Sequence, residues 1–260
     1  MSIFKLSFAV ISIAILSSCG NSQTEKESKM EQEEIQLSAS EKLIQETIAA
    51  HGGDLYNTAN YSFVFREKEY QFKNDNANYT YTKTYKKGDS LIVDVFENGI
   101  FSRTVNGKSL TPSDKEKANG GSGINSVIYF ATLPHKLSDK SVNSELQETV
   151  SIKGQKYDVV EVSFDQAGGG EDHDDMYYYW INQMTKKMDY FAYNYSVNDG
   201  GVRFRSAFNK RVVDGVTFQD YINFEAKVGT PLKDLPALYE AGKLNELSQI
   251  KTENVLVLNK

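Results

Sequence analysis

The feature that most narrows what this chain can fold into is a two-residue rhythm. Within "YSFVFREKEYQF" (61–72) Tyr61, Phe63 and Phe65 fall on one side of an extended backbone, and within "NYTYTKTY" (78–85) Tyr79, Tyr81 and Tyr85 alternate with threonines. Such alternation marks half-buried strands. Segments 90–96 and 100–105 continue it, with Asn98-Gly99 and Asn106-Gly107 beside them, dipeptides whose tolerance of positive φ gives the strongest short hairpin signal. Further strands are expected at 148–153, 156–164, 176–183, 187–196, 201–210, 216–226 and 249–258. Nearly all the links are short, and short links join antiparallel neighbours. The expected class is α+β, mostly β, built as an antiparallel meander.

One helical segment precedes the strands and two interrupt them. In "SEKLIQETIAAHGG" Ser40 can cap the start, Leu43, Ile44, Thr47 and Ile48 share a face, and Gly52 supplies the left-handed end. His51 falls in the last turn, where a cation meets the helix dipole favourably. "INSVIYFATL" (124–133) follows "NGGSG", read as a hinge, and stops at Pro134. It is apolar on most sides and must be buried, with the concave side of the sheet as its place. "PLKDLPALYEAGKLNEL" (231–247) starts with proline and is amphipathic.

The chain opens "MSIFKLSFAVISIAILSSCG", whose apolar run is too short to span about 30 Å of hydrocarbon. "LSSC" resembles the bacterial lipobox, which implies cleavage before Cys19 and diacylation of its thiol. That would also commit the chain's only cysteine. Residues 1–18 are thus expected to be a lipoprotein signal peptide. Residues 19–39, rich in Glu, Lys, Gln and Ser, are expected to form a flexible tether, and 40–260 a single folded domain. Acylated Cys19 would make a lipid membrane the first partner, in a bacterial cell envelope, with the outer membrane the leading site and the domain facing the periplasm or the surface. A formal charge of −6 argues against nucleic acid, which needs a concentrated basic surface.

"YYYWINQMTKKMDYF" (177–191), with Trp180-Ile181-Asn182, Thr185 and Met188, resembles the W-[IV]-[DN]-x-x-T-x-x-[LM] hairpin of periplasmic lipoprotein-carrier proteins of the LolA type and their sigma-factor regulator relatives. "DGVTFQDYINFE" (214–225) is similar to the strand that follows a D-G turn in those proteins. The whole chain, with "AHGGDLYN", "LPHKL" and "VGTPLKDLPALYEAGKL", also resembles an uncharacterised family of Bacteroidota lipoproteins. The carrier resemblance implies an open antiparallel half-barrel around an apolar cavity, closed by helical lids, and a hydrophobic small molecule or acyl chain as its partner. The carrier is soluble so that it can shuttle, whereas Cys19 would tether this chain, which suits a static receptor, sensor or acceptor.

The candidate ligand residues are Tyr79, Tyr81, Tyr177, Tyr179 and Trp180, from a chain with 14 Phe, 16 Tyr and one Trp. Tyrosines lining a hollow make it apolar with a polar fringe. Arg203 and Arg205 flank Phe204 and share a strand face; they could clamp a carboxylate or phosphate head group or pair across strands with acids such as Asp220. "GGGEDHDDMYYYW" (168–180) holds Asp172, His173, Asp174 and Asp175 beside Glu171. These could take a divalent cation, although hard carboxylates with one imidazole match neither calcium nor zinc well. The bland alternative is a solvated acidic loop. Neither a G-x-S-x-G nor a phosphate-binding glycine loop with lysine is found. The reading is a non-enzymatic lipid binder without a cofactor; the alternatives are a metal-dependent hydrolase centred on 171–175 and an envelope protein-interaction module.

Overall fold

The structure, a computed structural model, describes residues 37–165, 175–196 and 199–258. The expectations for 1–36, Cys19 included, and for Glu171, Asp172, His173 and Asp174 lie outside the described residues.

Six strands follow the first helical region: β1 (Asn60–Phe65), β2 (Lys68–Asp75), β3 (Asn78–Lys87), β4 (Ser90–Glu97), β5 (Ile100–Val105) and β6 (Lys108–Ser109). After a long helix come β7 (Val142–Ile152), β8 (Gln155–Phe164), β9 (Tyr177–Asn182), β10 (Met188–Tyr195), β11 (Gly201–Val213) and β12 (Val216–Ala226), and then β13 (Asn245–Ile250) and β14 (Glu253–Val257). They form two antiparallel seven-stranded sheets, sheet A in the order β14-β1-β2-β3-β4-β5-β6 and sheet B in the order β13-β12-β11-β10-β9-β8-β7. The sheets meet on one side, where residues 251 and 252 carry the chain from β13 to β14. On the other side β6 and β7 do not pair, which leaves the half-barrel open. A buried carboxylate pins the joined side. Asp220 accepts from the Thr252 backbone N–H at 3.0 Å and its hydroxyl at 3.2 Å, and pairs with Arg211 at 3.1 Å.

The expected strand 61–72 is in fact a hairpin, with Arg66 at φ 49° and Glu67 at φ 62° as its tip. Two non-glycine residues in the left-handed region cost about 1–2 kcal/mol each. The hairpin's register offsets this, because it sets Phe63 against Tyr70 with rings stacked at 5.6 Å and Tyr61 against Phe72 at the same spacing. Asn98-Gly99 and Asn106-Gly107, by contrast, turn with both residues at positive φ, as their chemistry requires. The expected last strand, 249–258, also divides: β13 joins sheet B and β14 sheet A.

Helix α1 (Ala39–His51) is capped two residues before the expected Ser40. Ser38 is the N-cap, in a capping box with Glu41. Ser40 instead is buried and donates to the Ser144 carbonyl on β7 at 3.0 Å. Leu43 and Ile44 pack into the core on sheet B. His51 is not the cation expected at the helix end. Burial lowers its pKa to about 4, so it is neutral, and Nδ1 donates to the Thr47 carbonyl at 2.8 Å.

Helix α2 (Asp114–Ala131) is far longer than the expected 124–133, because the Ser113/Glu116 capping box nucleates it before the glycines. "NGGSG" is therefore helix, not hinge. A Cβ on Gly120 would lie 2.5 Å from the Phe101 ring, and one on Gly121 would lie 2.9 Å from Phe96. The glycines let the helix press onto sheet A. Ile124 and Ile128 then bury in that sheet's aromatic core, while Tyr129 and Phe130 pack on sheet B. Helix α3 (Leu235–Glu240) is shorter than the expected 231–247. Pro231 and a 3-10 turn precede it, and Asn245–Ile250 leaves as strand β13. Leu232 and Leu235 cover Trp180 and Phe204, on the face of sheet B opposite α2.

Candidate functional site

The open side of the half-barrel encloses a cavity of about 800 Å³, the size of a pocket for a small amphiphile. Sheet A contributes Tyr79, Phe96, Phe101 and Ile100; α2 contributes Gly121, Ser122, Asn125, Tyr129 and Phe130; and Phe164 and Tyr177 close the side toward sheet B. Tyr79 stacks on Tyr81 at 4.6 Å and Phe164 meets Tyr177 edge to face at 5.4 Å. Ser122, Asn125, Ser126, Ser141, Lys117, Lys136 and Asp139 add polar groups to the lining. The Lys136 ammonium stands 5.8 Å over the Tyr79 ring and 3.6 Å from Asp139. Burial works against its charge, but Tyr81 and Asp139 outweigh burial and hold its pKa above the usual lysine range. It stays a cation at working pH.

The wall toward sheet B is held by matched contacts. The hydroxyls of Tyr129 and Tyr179 share a hydrogen bond at 2.9 Å, and burial raises both phenols well above their ordinary value. Phe130 stacks on Phe191 at 5.7 Å and on Tyr193 at 5.6 Å. Beneath it the Arg205 guanidinium lies 4.4 Å from the Phe130 ring centre, within the range of a cation–π contact.

The structure separates the expected ligand residues by depth within one face and, for Trp180, by strand alternation. Tyr79 and Tyr177 line the cavity. Tyr81 and Tyr179 point the same way but are fully buried behind them. Trp180 projects from the other face and meets Phe204 at 5.6 Å. Arg203 and Arg205 do share a face, opposite Phe204, although they do not act as a pair. Arg203 donates to the Tyr195 hydroxyl at 2.5 Å and lies 3.9 Å from Glu225, whereas Arg205 sits among rings. Asp220, the expected acid for them, pairs with Arg211 instead. Asp175 is buried at the approach to β9. Among the described residues no group of three or more His, Cys, Asp and Glu side chains could hold a metal ion. Sequence reasoning missed Phe96, Phe101, Phe130, Phe164 and Lys136. Phe130 does lie on the expected 124–133 helix, and the Ser113/Glu116 capping box was the signal that could have shown how far that helix extends toward Gly121 and Ser122.

An unclosed antiparallel half-barrel holding helices on its inner face is the LolA-like fold. The chain is similar to a LolA superfamily protein of Nitrosomonas europaea, with 10% identity over 86% of this chain and 96% of that one and a TM-score of 0.50. It is also similar to a Vibrio parahaemolyticus domain assigned to outer membrane lipoprotein sorting (8% identity, 77% of this chain and 97% of that one, TM-score 0.40). A third is a DUF1329 family protein of Desulfovibrio piger (9% identity, 85% and 94%, TM-score 0.38). At such identities the first likeness is one of fold alone. No curated protein matches the chain. The chain belongs to a family of unknown function, DUF6503, whose model matches residues 5–252.

Proposed function

We propose that this protein is a membrane-anchored envelope lipoprotein of the Bacteroidota whose half-barrel holds a hydrophobic or amphiphilic molecule without transforming it. The observation that carries this reading is the aromatic cavity of about 800 Å³ on the open side of the barrel. Its walls are apolar rings, and Lys136 and the serines supply a few polar groups that suit a ligand with a polar end. The fold shared with the Nitrosomonas LolA superfamily protein supports a lidded barrel as the scaffold. Residues 1–18 would be removed as a signal peptide, Cys19 would carry the acyl chains, and 19–39 would tether the domain that follows. Two or three acyl chains anchor stably where one does not.

Native mass spectrometry of protein extracted from membranes tests the binding reading: the expected spectrum carries a lipid-sized adduct that organic solvent removes, and delipidated protein takes up a fluorescent fatty acid. Protein that arrives bare and takes up no fatty acid overturns it. Metabolic labelling with an alkynyl fatty acid tests the anchor, and the label should vanish in Cys19→Ser.

A further inference from the structure

Among the described residues, Arg205 is an ion without a counter-ion. The residue is 7% exposed, and a buried guanidinium offers five N–H donors that need acceptors. Its one side-chain hydrogen bond among those residues runs from Nη2 to the Tyr193 hydroxyl at 2.8 Å, and its Nε is buried without a partner there. The acids on the neighbouring strands are engaged elsewhere: Glu225 with Arg203, Asp220 with Arg211 and Asp189 with Lys210. Three rings surround the charge, Phe130 at 4.4 Å, Phe191 at 5.2 Å and Tyr193 at 5.3 Å. Ring faces attract a cation but accept no strong hydrogen bonds, so they offset only part of its desolvation.

Its position relates it to the cavity. Arg205 pairs in register with Phe191, and Phe191 with Tyr179, so the guanidinium's strand lies two spacings, roughly 10 Å, from the tyrosines of β9. Phe130 belongs to both places, lining the cavity on one side and covering Arg205 on the other. Directly across the ladder, Asn223 leaves Oδ1 buried with no partner among the described residues. An unmatched donor and an unmatched acceptor therefore stand on register partners of adjacent strands, the donor's guanidinium behind the Phe130 ring.

We propose that Arg205 is the counter-charge for an anionic head group, carboxylate or phosphate, of an amphiphile whose chain lies in the cavity, and that Phe130 is the side-chain gate between them. The inference rests on the lipid-binding reading above and assigns the ligand its charge. The head group would accept from Nε and Nη of Arg205 in the charge-assisted geometry that guanidinium favours. The alternative, that Arg205 only rivets α2 to sheet B, leaves any preference for anions to Lys117 and Lys136 on the cavity lining and predicts that Arg205→Met does not change it.

The test uses the delipidated full chain and three twelve-carbon probes, dodecanoate, dodecyl phosphate and dodecanol, with affinities from calorimetry. Both anions should bind at least about tenfold more tightly than the alcohol, the size expected of a hydrogen bond to a charged group; the better anion identifies the head group. Arg205→Met should remove most of that preference while leaving dodecanol unchanged, even with Lys117 and Lys136 still on the lining, and Arg205→Lys should keep part of it. Phe130→Ala should speed association of the anions, with far-UV circular dichroism confirming that each variant folds. Equal binding of alcohol and anions by the unsubstituted protein, or an anion preference that Arg205→Met leaves intact, or equal losses of all three probes in that variant, overturns the assignment while the barrel still binds. Should none of the probes bind, it is the lipid-binding reading itself that fails.

Discussion

Acid should weaken this fold well before its carboxylates protonate, because two histidines, His51 fully buried and His135 half-buried, are held as neutral rings. Burial lowers His51 to about 4, with the Thr47 carbonyl opposing the shift and Lys187 and Lys210 adding to it; burial and Lys136 lower His135 to about 4. In the unfolded chain each titrates near 6.5. A lowered folded-state value means the unfolded chain binds the extra proton first, so the stability held above about pH 6.5 is lost as pH falls toward 4. Between pH 7 and pH 5 the loss is about 2 kcal/mol per histidine, roughly 4 kcal/mol for both. That is a large part of the roughly 5–15 kcal/mol typical of a domain. Carboxylates with lowered values, such as Asp94 beside Arg103 and Lys83, begin to cost stability only near pH 4, so the two windows separate. Urea unfolding at pH 7 and pH 5 reads the effect, with an expected midpoint drop on the order of 1 M. In His51→Gln, which keeps a donor for the Thr47 carbonyl, combined with His135→Phe, which keeps the ring stacked on Tyr56 at 4.5 Å, most of that drop should vanish. An equal drop in the double variant would refute the reasoning.

The glycines of α2 make opposite predictions. Gly120→Ala should destabilise by about 1–3 kcal/mol, since its Cβ would strike Phe101, whereas Gly123→Ala, which meets nothing within 4 Å, should stabilise by up to about 1 kcal/mol; thermal melts of both variants check the pair. Asp220→Ala removes the acceptor at the sheet junction and leaves Arg211 without its acid, so unfolding free energy should fall by about 3 kcal/mol in a denaturant titration. Tyr129→Phe strips the partner from the buried Tyr179 hydroxyl and should cost about 1–2 kcal/mol by the same assay.

The strands were largely legible because their alternation is local. Most of the expected β segments need only a two-residue period and turn residues, and Asn98-Gly99 and Asn106-Gly107 turn where their chemistry demands. What escaped was whatever depended on distant partners. The Arg66-Glu67 turn carries no local signal, and it exists because Phe63 meets Tyr70 and Tyr61 meets Phe72 across the ladder. The division of 249–258 between two sheets likewise follows from Asp220, far back along the chain, taking Thr252 into its hydrogen bonds.

The same physics explains why the cavity was half hidden. Period two tells which residues share a face, and so it grouped Tyr79 with Tyr81 and Tyr177 with Tyr179; it does not tell how deep on that face each one lies. Depth is set by α2, whose first half looked like a flexible linker because glycine is usually a helix breaker. Here each missing Cβ makes room for a ring, since Gly120 and Gly121 admit Phe101 and Phe96. Drawn onto sheet A, the helix leaves its other flank, Tyr129 and Phe130, facing sheet B, and the space not filled between them is the cavity. The hollow is thus a by-product of small residues on one side of a helix and large ones on the other. Filling it from the helix side tests that account: Ser122→Phe, placed on the cavity lining and away from the sheet contacts, should abolish fatty-acid uptake while leaving the thermal midpoint nearly unchanged, and undiminished uptake would show that ligand lies elsewhere.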